Sequence, residues 1–404
     1  MNHKRIAFFT NYYLPVINGV VKSVESFRDE LSRQGHNMFV FAQADDDYED
    51  EAPYIFRYPS LNLPTQLKVP AVIPVSSFVD QLLPKLKPDV IHAHHPILLG
   101  QTAATKAEEL DLPLVFTFHT QYREYTHYLP LPQEAIQEFL KDAVQSWLQD
   151  YMRKCQHIVI PSESMKETLV REYGLRDCFT VIPTGIDLEP YRIADGETLR
   201  ARKGWHREKV MISIGRLAPE KNWDTLLKAA KIVREDHPDL RVVLIGDGPA
   251  RSDLEDLASE LGIADHVMFT GEVPFVDVPA YLKAADFFGF ASTTETQGLV
   301  TMEALAAGLP VVAVDADGTR DILTDGEQGF LVPDDAEALA ASINRLLESP
   351  DRLEKFKENA LGKAMEYDQK NCAKRLIEVY DQSIKDKKND RTVAVDELEK
   401  NEPV

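Results

Sequence analysis

From Arg5 onward, short apolar runs alternate with amphipathic stretches almost without interruption. Few arrangements other than β-α units around a parallel sheet accommodate that alternation. In the first half the strand-like runs are Arg5–Phe9, Asn37–Ala42, Val90–Ala93, Leu114–Thr117 and His157–Ile160, with a short Thr180–Ile182 after them. Pro183-Thr-Gly-Ile-Asp187 then reads as a turn and a domain boundary. A second series begins afresh with Lys209–Ile214, Arg241–Ile245, Val267–Thr270, Phe287–Ala291, Pro310–Val314 and Gly329–Val332. Helix spacing separates them at Trp223–Val233, Ala250–Leu261, Val278–Ala284 and Met302–Ala307. With 404 residues the chain exceeds the size at which one core keeps growing. The expectation is an α/β protein of two doubly wound parallel-sheet domains, residues 1–186 and 187–366. Ligands in such sheets bind outside the carboxyl ends of the strands, so two facing sheets would make one cleft. The stretch from Leu353 to Ile384 reads as helical. Its last helix, residues 367–385, is expected to return to the first domain, and the polar residues 386–404 to be disordered.

Charge narrows the partners. Forty-five Lys and Arg against 66 Asp and Glu leave a net charge of −21, a surface that repels nucleic acid. The first 185 residues carry 17 basic and 23 acidic side chains, so most of the acidity lies in the second half and surface binding falls more easily to the first. Cys155, Cys178 and Cys372 are widely spaced and suit neither a disulfide framework nor a zinc site, which fits a reducing cytosol. Ile6-Ala-Phe-Phe9 is shorter than the apolar core of a signal peptide, and no run approaches the ~18 apolar residues of a membrane span. The expected location is cytoplasmic.

Polar motifs fall where strands end. Ser213-Ile-Gly-Arg216-Leu-Ala-Pro-Glu-Lys221 occupies a strand-to-helix turn: Gly215 permits a close turn, and Arg216 and Lys221 can converge on a diphosphate. Alone, such a pair is more often two solvated surface cations. Ile245-Gly-Asp-Gly-Pro249 and Thr270-Gly-Glu-Val273 close the next two strands, where Gly246 and the backbone near Val273 can approach a ligand or simply make tight turns. Glu295-Thr-Gln-Gly-Leu-Val-Thr-Met-Glu303 leads into a helix starting near Gly298, whose first amides make an anion site around Leu299 and Val300. Glu303 can take a ribose diol and Glu295 sugar hydroxyls, or the two are an ordinary helix-start carboxylate and a solvated partner. In the first half, Asn18-Gly19-Val20 stands at a helix start after the first strand, and His119 directly follows the strand Leu114–Phe118. Neither half carries the glycine pattern of dinucleotide binding.

In this order the motifs resemble glycosyltransferase family 4, over nearly the whole chain from Arg5 to Leu376. The resemblance implies a GT-B fold of two Rossmann-like domains and a retaining hexosyltransferase without metal or cofactor, a nucleotide sugar being the co-substrate. It implies that Arg216 and Lys221 neutralise the donor diphosphate and that Glu295 contacts the transferred sugar. Glu303 would hold the ribose, Gly298–Val300 the sugar or phosphate, and Val273 the base. Gly215 and Gly246 would line the donor, Asn18, Gly19 and Val20 would lie near the diphosphate, and His119 near the hydroxymethyl end of the sugar. Asp315-Ala-Asp317 reads as a loop rather than a metal motif.

Thr117-Phe-His119-Thr-Gln-Tyr-Arg-Glu-Tyr-Thr-His127 and Thr294-Glu-Thr-Gln-Gly298 are similar to the bacterial diacylglycerol α-glucosyltransferases, which implies UDP-glucose as donor and a lipid acceptor at the inner face of the membrane. Ile136, Phe139, Leu140, Ala143, Val144, Trp147 and Tyr151 then form an apolar stripe at helical spacing that faces either the core or a bilayer interface. Unlike the basic helices of those enzymes, this one carries Glu134, Glu138 and Asp142 against Lys141, Arg153 and Lys154. A soluble sugar, polyol or polysaccharide acceptor, with GDP-mannose as donor, stands as the alternative within the family. A nucleotide-sugar epimerase or a sugar-nucleotide-binding protein without turnover stands outside it.

Overall fold

The computed structural model describes residues 3–16, 18–45, 47–61, 71–119 and 134–396. The chain forms two compact units, Met1–Gly185 with Gln369–Val404, and Ile186–Asp368. In the first, β1 (Arg5–Thr10), β2 (Asn37–Gln43), β3 (Ile55–Tyr58), β6 (Val90–Ala93), β7 (Leu114–Thr117), β8 (His157–Ile160) and β9 (Phe179–Val181) make a parallel sheet in the order β3-β2-β1-β6-β7-β8-β9. Two short strands between them, β4 (Ser60–Leu61) and β5 (Ala71–Val72), pair only with each other. The helices are α1 (Gly19–Arg33), α2 (Ser77–Leu86), α3 (Leu99–Glu109), α4 (Glu134–Met152) and α5 (Glu163–Tyr173).

In the second unit, β10 (Lys209–Ile214), β11 (Leu240–Ile245), β12 (Val267–Phe269), β13 (Phe287–Phe290), β14 (Val311–Val314) and β15 (Gly329–Val332) run parallel in the order β12-β11-β10-β13-β14-β15. Its helices are α6 (Glu189–Ile193), α7 (Gly196–Lys203), α8 (Trp223–Asp236), α9 (Arg251–Glu260), α10 (Val278–Lys283), α11 (Leu299–Ala306), α12 (Ala336–Leu347) and α13 (Pro350–Ala364). The last helix, α14 (Gln369–Lys388), belongs to the first unit: its Cys372, Ala373, Leu376 and Tyr380 share one apolar cluster with Val21, Val24 and Phe27 of α1. Both sheets are buried on both faces, which is why their strands read as short, continuous apolar runs.

Residues 386–396, part of the polar stretch at the chain's end, pack on the first unit. The α14 helix runs on to Lys388, and Val393 is buried in the first unit's core with its amide donating to the Cys155 carbonyl at 2.9 Å. The Ala394 amide donates to Asp177 at 3.0 Å, and Val395 bridges Leu175. Val393 and Val395 seat this otherwise polar segment together with polar contacts, Arg391 to Asp177 and Asp396 N to the Gly174 carbonyl. Residues 397–404 lie outside the described residues. Truncation after Lys388 is expected to cost about 2–4 kcal/mol: the burial of one valine and three backbone bonds, Val393 N to Cys155 O, Arg176 N to Ala394 O and Asp396 N to Gly174 O, less the entropy of ordering the segment. A thermal melt checks this; an unchanged midpoint would show that the segment contributes nothing.

Candidate active site

In the second sheet the chain moves outward from β10 through β11 to β12, then returns to the other side of β10 for β13. The carboxyl ends of β10 and β13 therefore flank the topological switch point, where the loops leave in opposite directions and open a crevice. Lys221 leaves β10 on a 3-10 turn (Pro219–Lys221), and Glu295 follows β13. They meet across that point, with Lys221 Nζ 2.5 Å from Glu295 Oε1. Ser292 Oγ donates to the same oxygen at 2.9 Å. Both bonds fall on Oε1, and both charged side chains are only partly exposed, 22% and 17%. Arg216 stands on the same loop as Lys221, half exposed and paired with Glu220. Trp223 Nε1 donates to the Arg216 carbonyl at 2.9 Å, which holds the loop against the start of α8.

The neighbouring strand ends close tightly on this loop. Gly215 N donates to the Ile245 carbonyl at 3.0 Å and Gly246 N to the Gly271 carbonyl at 3.0 Å, so the ends of β10, β11 and β12 are tied in series. Gly246 has φ +132°, and a Cβ there would stand 2.0 Å from the Gly215 oxygen. Only glycine satisfies both conditions. Val273, just past β12, packs on the same apolar cluster as Ile214, Leu299 and Val300.

The α11 helix begins at Leu299, next to the Gly298 start read from the sequence. Gly298 at its N-cap has φ +70° and no side chain to cap the first amides, so the first turn presents them at the crevice level of the sheet. Glu303 lies within the helix and is buried. Tyr191 of α6 is close enough that, after burial itself, the Glu303 charge pushes its phenol further up. Gly318, which the sequence reading passed over, backs the Glu295 loop: a Cβ there would stand 2.7 Å from the Glu295 carbonyl oxygen and 2.9 Å from the Gln297 backbone nitrogen. Asp315 and Asp317 on that segment are engaged by Arg320, at 3.0 and 3.8 Å.

The remaining candidates belong to the first unit. Asn18 is the N-cap of α1, its Oδ1 accepting from Val21 N at 2.9 Å, which commits that oxygen to the helix. Gly19 and Val20 are the first residues of the helix. His119 follows β7 and is partly exposed. Its Nε2 lies 3.0 Å from Nδ1 of His94, and the two rings stack at 5.3 Å with 21° between their planes. His94 and its neighbour His95 sit at the carboxyl end of β6, beside β1 at this sheet's own switch point; there His95 Nδ1 accepts from Asn11 N at 3.1 Å. These histidines escaped the sequence reading. The signal was present in His92-Ala-His94-His95-Pro96, a polar cluster at the end of a buried strand.

The apolar stripe of α4 turns inward at its end. Tyr151 is buried, with its hydroxyl donating to the Gly100 carbonyl at 3.0 Å, and Trp147 packs against the same core, whereas Ala143 is exposed. Ile136, Phe139 and Leu140, and the run 120–133 after His119, lie outside the described side chains. Among the described residues no helix is long and apolar enough to cross a membrane.

Residues 17–190 match the family described as Glycosyltransferase Family 4, and residues 195–363 the one described as Glycosyl transferases group 1. The chain is 32% identical over 398 residues to the Alpha-monoglucosyldiacylglycerol synthase of Streptococcus pneumoniae, covering 93% of this chain and 85% of that protein. It is 30% identical over 370 residues to the protein of the same name from Acholeplasma laidlawii, covering 88% and 91%. Among solved structures, the sucrose-phosphate synthase from Thermosynechococcus elongatus superposes with a TM-score of 0.77 at 21% identity, over 94% and 99% of the two chains. Fold and matches together define a glycosyltransferase of the two-domain GT-B type. The chain belongs to glycosyltransferase family 4, and it is a hexosyltransferase.

Proposed function

We propose that this enzyme transfers glucose from UDP-glucose, with retention at the anomeric carbon, to a diacylglycerol-type lipid at a membrane surface. The observation that carries the reaction class is the Lys221–Glu295 pair across the switch point of the second sheet, with Arg216 on the same loop. The acceptor rests on the relatives named for monoglucosyldiacylglycerol synthesis and on the run around His119. In this reading Lys221 and Arg216 receive the donor diphosphate, on which negative charge grows as the bond between the anomeric carbon and the phosphate oxygen breaks. Preorganised cations at that point lower the barrier more than they stabilise the ground state. Glu295 already spends Oε1 on Lys221 and Ser292, which leaves Oε2 for hydroxyls of the transferred glucose. Glu303 takes the ribose diol, the first amides of α11 take sugar or phosphate, and His119 serves the hydroxymethyl end. The acceptor oxygen attacks the face that the leaving group vacates, and its proton passes to the departing phosphate oxygen.

The test is a matrix of donors, UDP-glucose and GDP-mannose among them, against diacylglycerol vesicles and soluble sugars, with product mass as readout. Glucosyl-diacylglycerol from UDP-glucose, formed only with vesicles, is expected. Transfer to soluble sugars alone, or from GDP-mannose alone, overturns the proposal. Donor-sugar conversion without acceptor would show an epimerase. Because α4 carries Glu134, Glu138, Asp142 and Asp150 against Lys141 alone, attachment by charge is not expected. Sedimentation with neutral vesicles should therefore match that with anionic ones within about threefold, and a tenfold preference for anionic lipid would contradict an apolar mode of contact.

A further inference from the structure

We propose that His94 is a positioning residue that fixes His119 in the tautomer with its proton on Nδ1, so that His119 meets its ligand as a hydrogen-bond donor. The proposal deepens the assignment of His119 to the transferred sugar and rests on it for its functional meaning.

Three imidazoles stack in a row. His92 lies 4.4 Å from His94, ring to ring, and His94 5.3 Å from His119, with interplanar angles of 26° and 21°. His92 is anchored at both nitrogens, Nδ1 to the Tyr380 hydroxyl of α14 and Nε2 to the Thr117 hydroxyl of β7, each at 2.7 Å. Phe8 of β1 closes edge-on against both His92 and His94. His94 is wholly buried between the His92, Phe8 and His119 rings, with Nδ1 toward His119. Burial pushes His94 well below the ordinary histidine range, with the neighbouring rings adding to it; His119, though its surface is partly exposed, is shifted the same way by its covered surroundings and by His95 and His92. Both rings are therefore neutral, and each carries one proton.

Two neutral rings sharing one hydrogen bond have two arrangements. If His119 donates from Nε2, then His94 Nδ1 accepts and the His94 proton must sit on Nε2. Among the described residues that nitrogen is buried with no partner. The arrangement therefore strands a buried N–H, which folded proteins rarely tolerate. If instead His94 donates from Nδ1, its Nε2 is left only as an unused lone pair, a milder loss, and His119 Nε2 accepts. The proton of His119 is then forced onto Nδ1. His119 faces its ligand with a donor, suited to a sugar hydroxyl oxygen or a phosphate oxygen, and it does not serve as a general base. The logic is that by which a fixed partner on one ring nitrogen decides the chemistry of the other.

Long-range ¹⁵N–¹H spectra of the whole protein labelled at histidine, near neutral pH, read the tautomer directly, with His119→Gln identifying the signal. A protonated Nδ1 and an unprotonated Nε2 at His119 are expected; the reverse pattern overturns the proposal. Variants supply the functional arm. His94→Asn keeps a donor near the Nδ1 position and is expected to hold kcat within about threefold. His94→Asp offers an acceptor, reverses the tautomer and should lower kcat by about tenfold or more, the loss of one hydrogen bond from His119 to its ligand. Equal rates for these two variants, or a faster His94→Asp, overturn it. If His119→Ala transfers glucose at the unaltered rate, the assignment of His119 to the sugar falls, while the tautomer is still decided by the spectra.

Discussion

Lys221→Ala is expected to lower kcat/KM for the nucleotide sugar by about 10²–10³-fold while leaving the fold nearly intact. The size follows from removing one preorganised charge at the oxygen on which negative charge develops, typically about 3–4 kcal/mol of barrier. The small structural cost follows from the surroundings. Lys221 is 22% exposed and its partner Glu295 remains bonded to Ser292 at 2.9 Å, so losing the ammonium does not strand a carboxylate in an apolar interior. With both side chains mostly covered the pair contributes somewhat more than a surface one, about 1–2 kcal/mol. The expected signature is therefore a split: a collapse in turnover with a thermal midpoint within a few degrees of the parent. Lys221→Arg keeps the charge but replaces a compact ammonium with a planar fork, and should fall between the two, losing about tenfold. A Lys221→Ala enzyme within tenfold of the parent would remove Lys221 from the diphosphate site.

That pair shows how far sequence reasoning reaches. Lys221 and Glu295 are 74 residues apart, and each was legible as a polar residue at a strand end. Their contact was not, because it depends on strand order: β10 and β13 are neighbours in the sheet but separated in sequence by β11 and β12. The strands were legible where burial on both faces made them uniformly apolar. The β3 strand was missed because Arg57 interrupts it. Its guanidinium is absorbed by Asp50 and by the carbonyls of Leu14 and Gln43, partners from two loops and the end of β2 that sequence does not bring together. The α2 helix carries Pro84 inside it, which hides the periodicity. The histidine row failed for another reason. Read singly, His119 is a plausible ligand, but the residues that orient it come from β6 and α14, and only the fold stacks them. Asn18 was read for its place at a loop; the structure spends its oxygen on a helix cap, a role any Asn before a helix can fill.

The second large effect lies in the backbone under the candidate donor site. Gly246→Ala is expected to destabilise the second unit by about 4 kcal/mol or more, combining two penalties that reinforce each other. At φ +132° an L side chain is strained whatever the space, and here the space is also filled, since the new Cβ would stand 2.0 Å from the Gly215 oxygen. Relief by moving apart is blocked from both sides. Gly215 N is bonded to Ile245 O and Gly246 N to Gly271 O, each at 3.0 Å, so separating the two glycines pulls on the ends of β10, β11 and β12 together. Gly204→Ala provides the control within the same unit: φ +76° is unfavourable, but nothing stands within 4 Å of the added carbon, so about 1 kcal/mol is expected. Of the three tryptophans, Trp205 and Trp223 lie in the second unit, and both are buried, so fluorescence follows its unfolding directly. Gly246→Ala should lower that transition by about 8 °C or more and Gly204→Ala by about 2–4 °C. Gly246→Ala should also weaken donor binding in whatever protein remains folded, because the strained loop abuts Gly215 and, through it, Arg216. If the two variants melt within 2 °C of each other, the close approach of the strand ends is not what shapes this site, and the loop that carries Arg216 and Lys221 owes its form to Trp223 and the start of α8 instead.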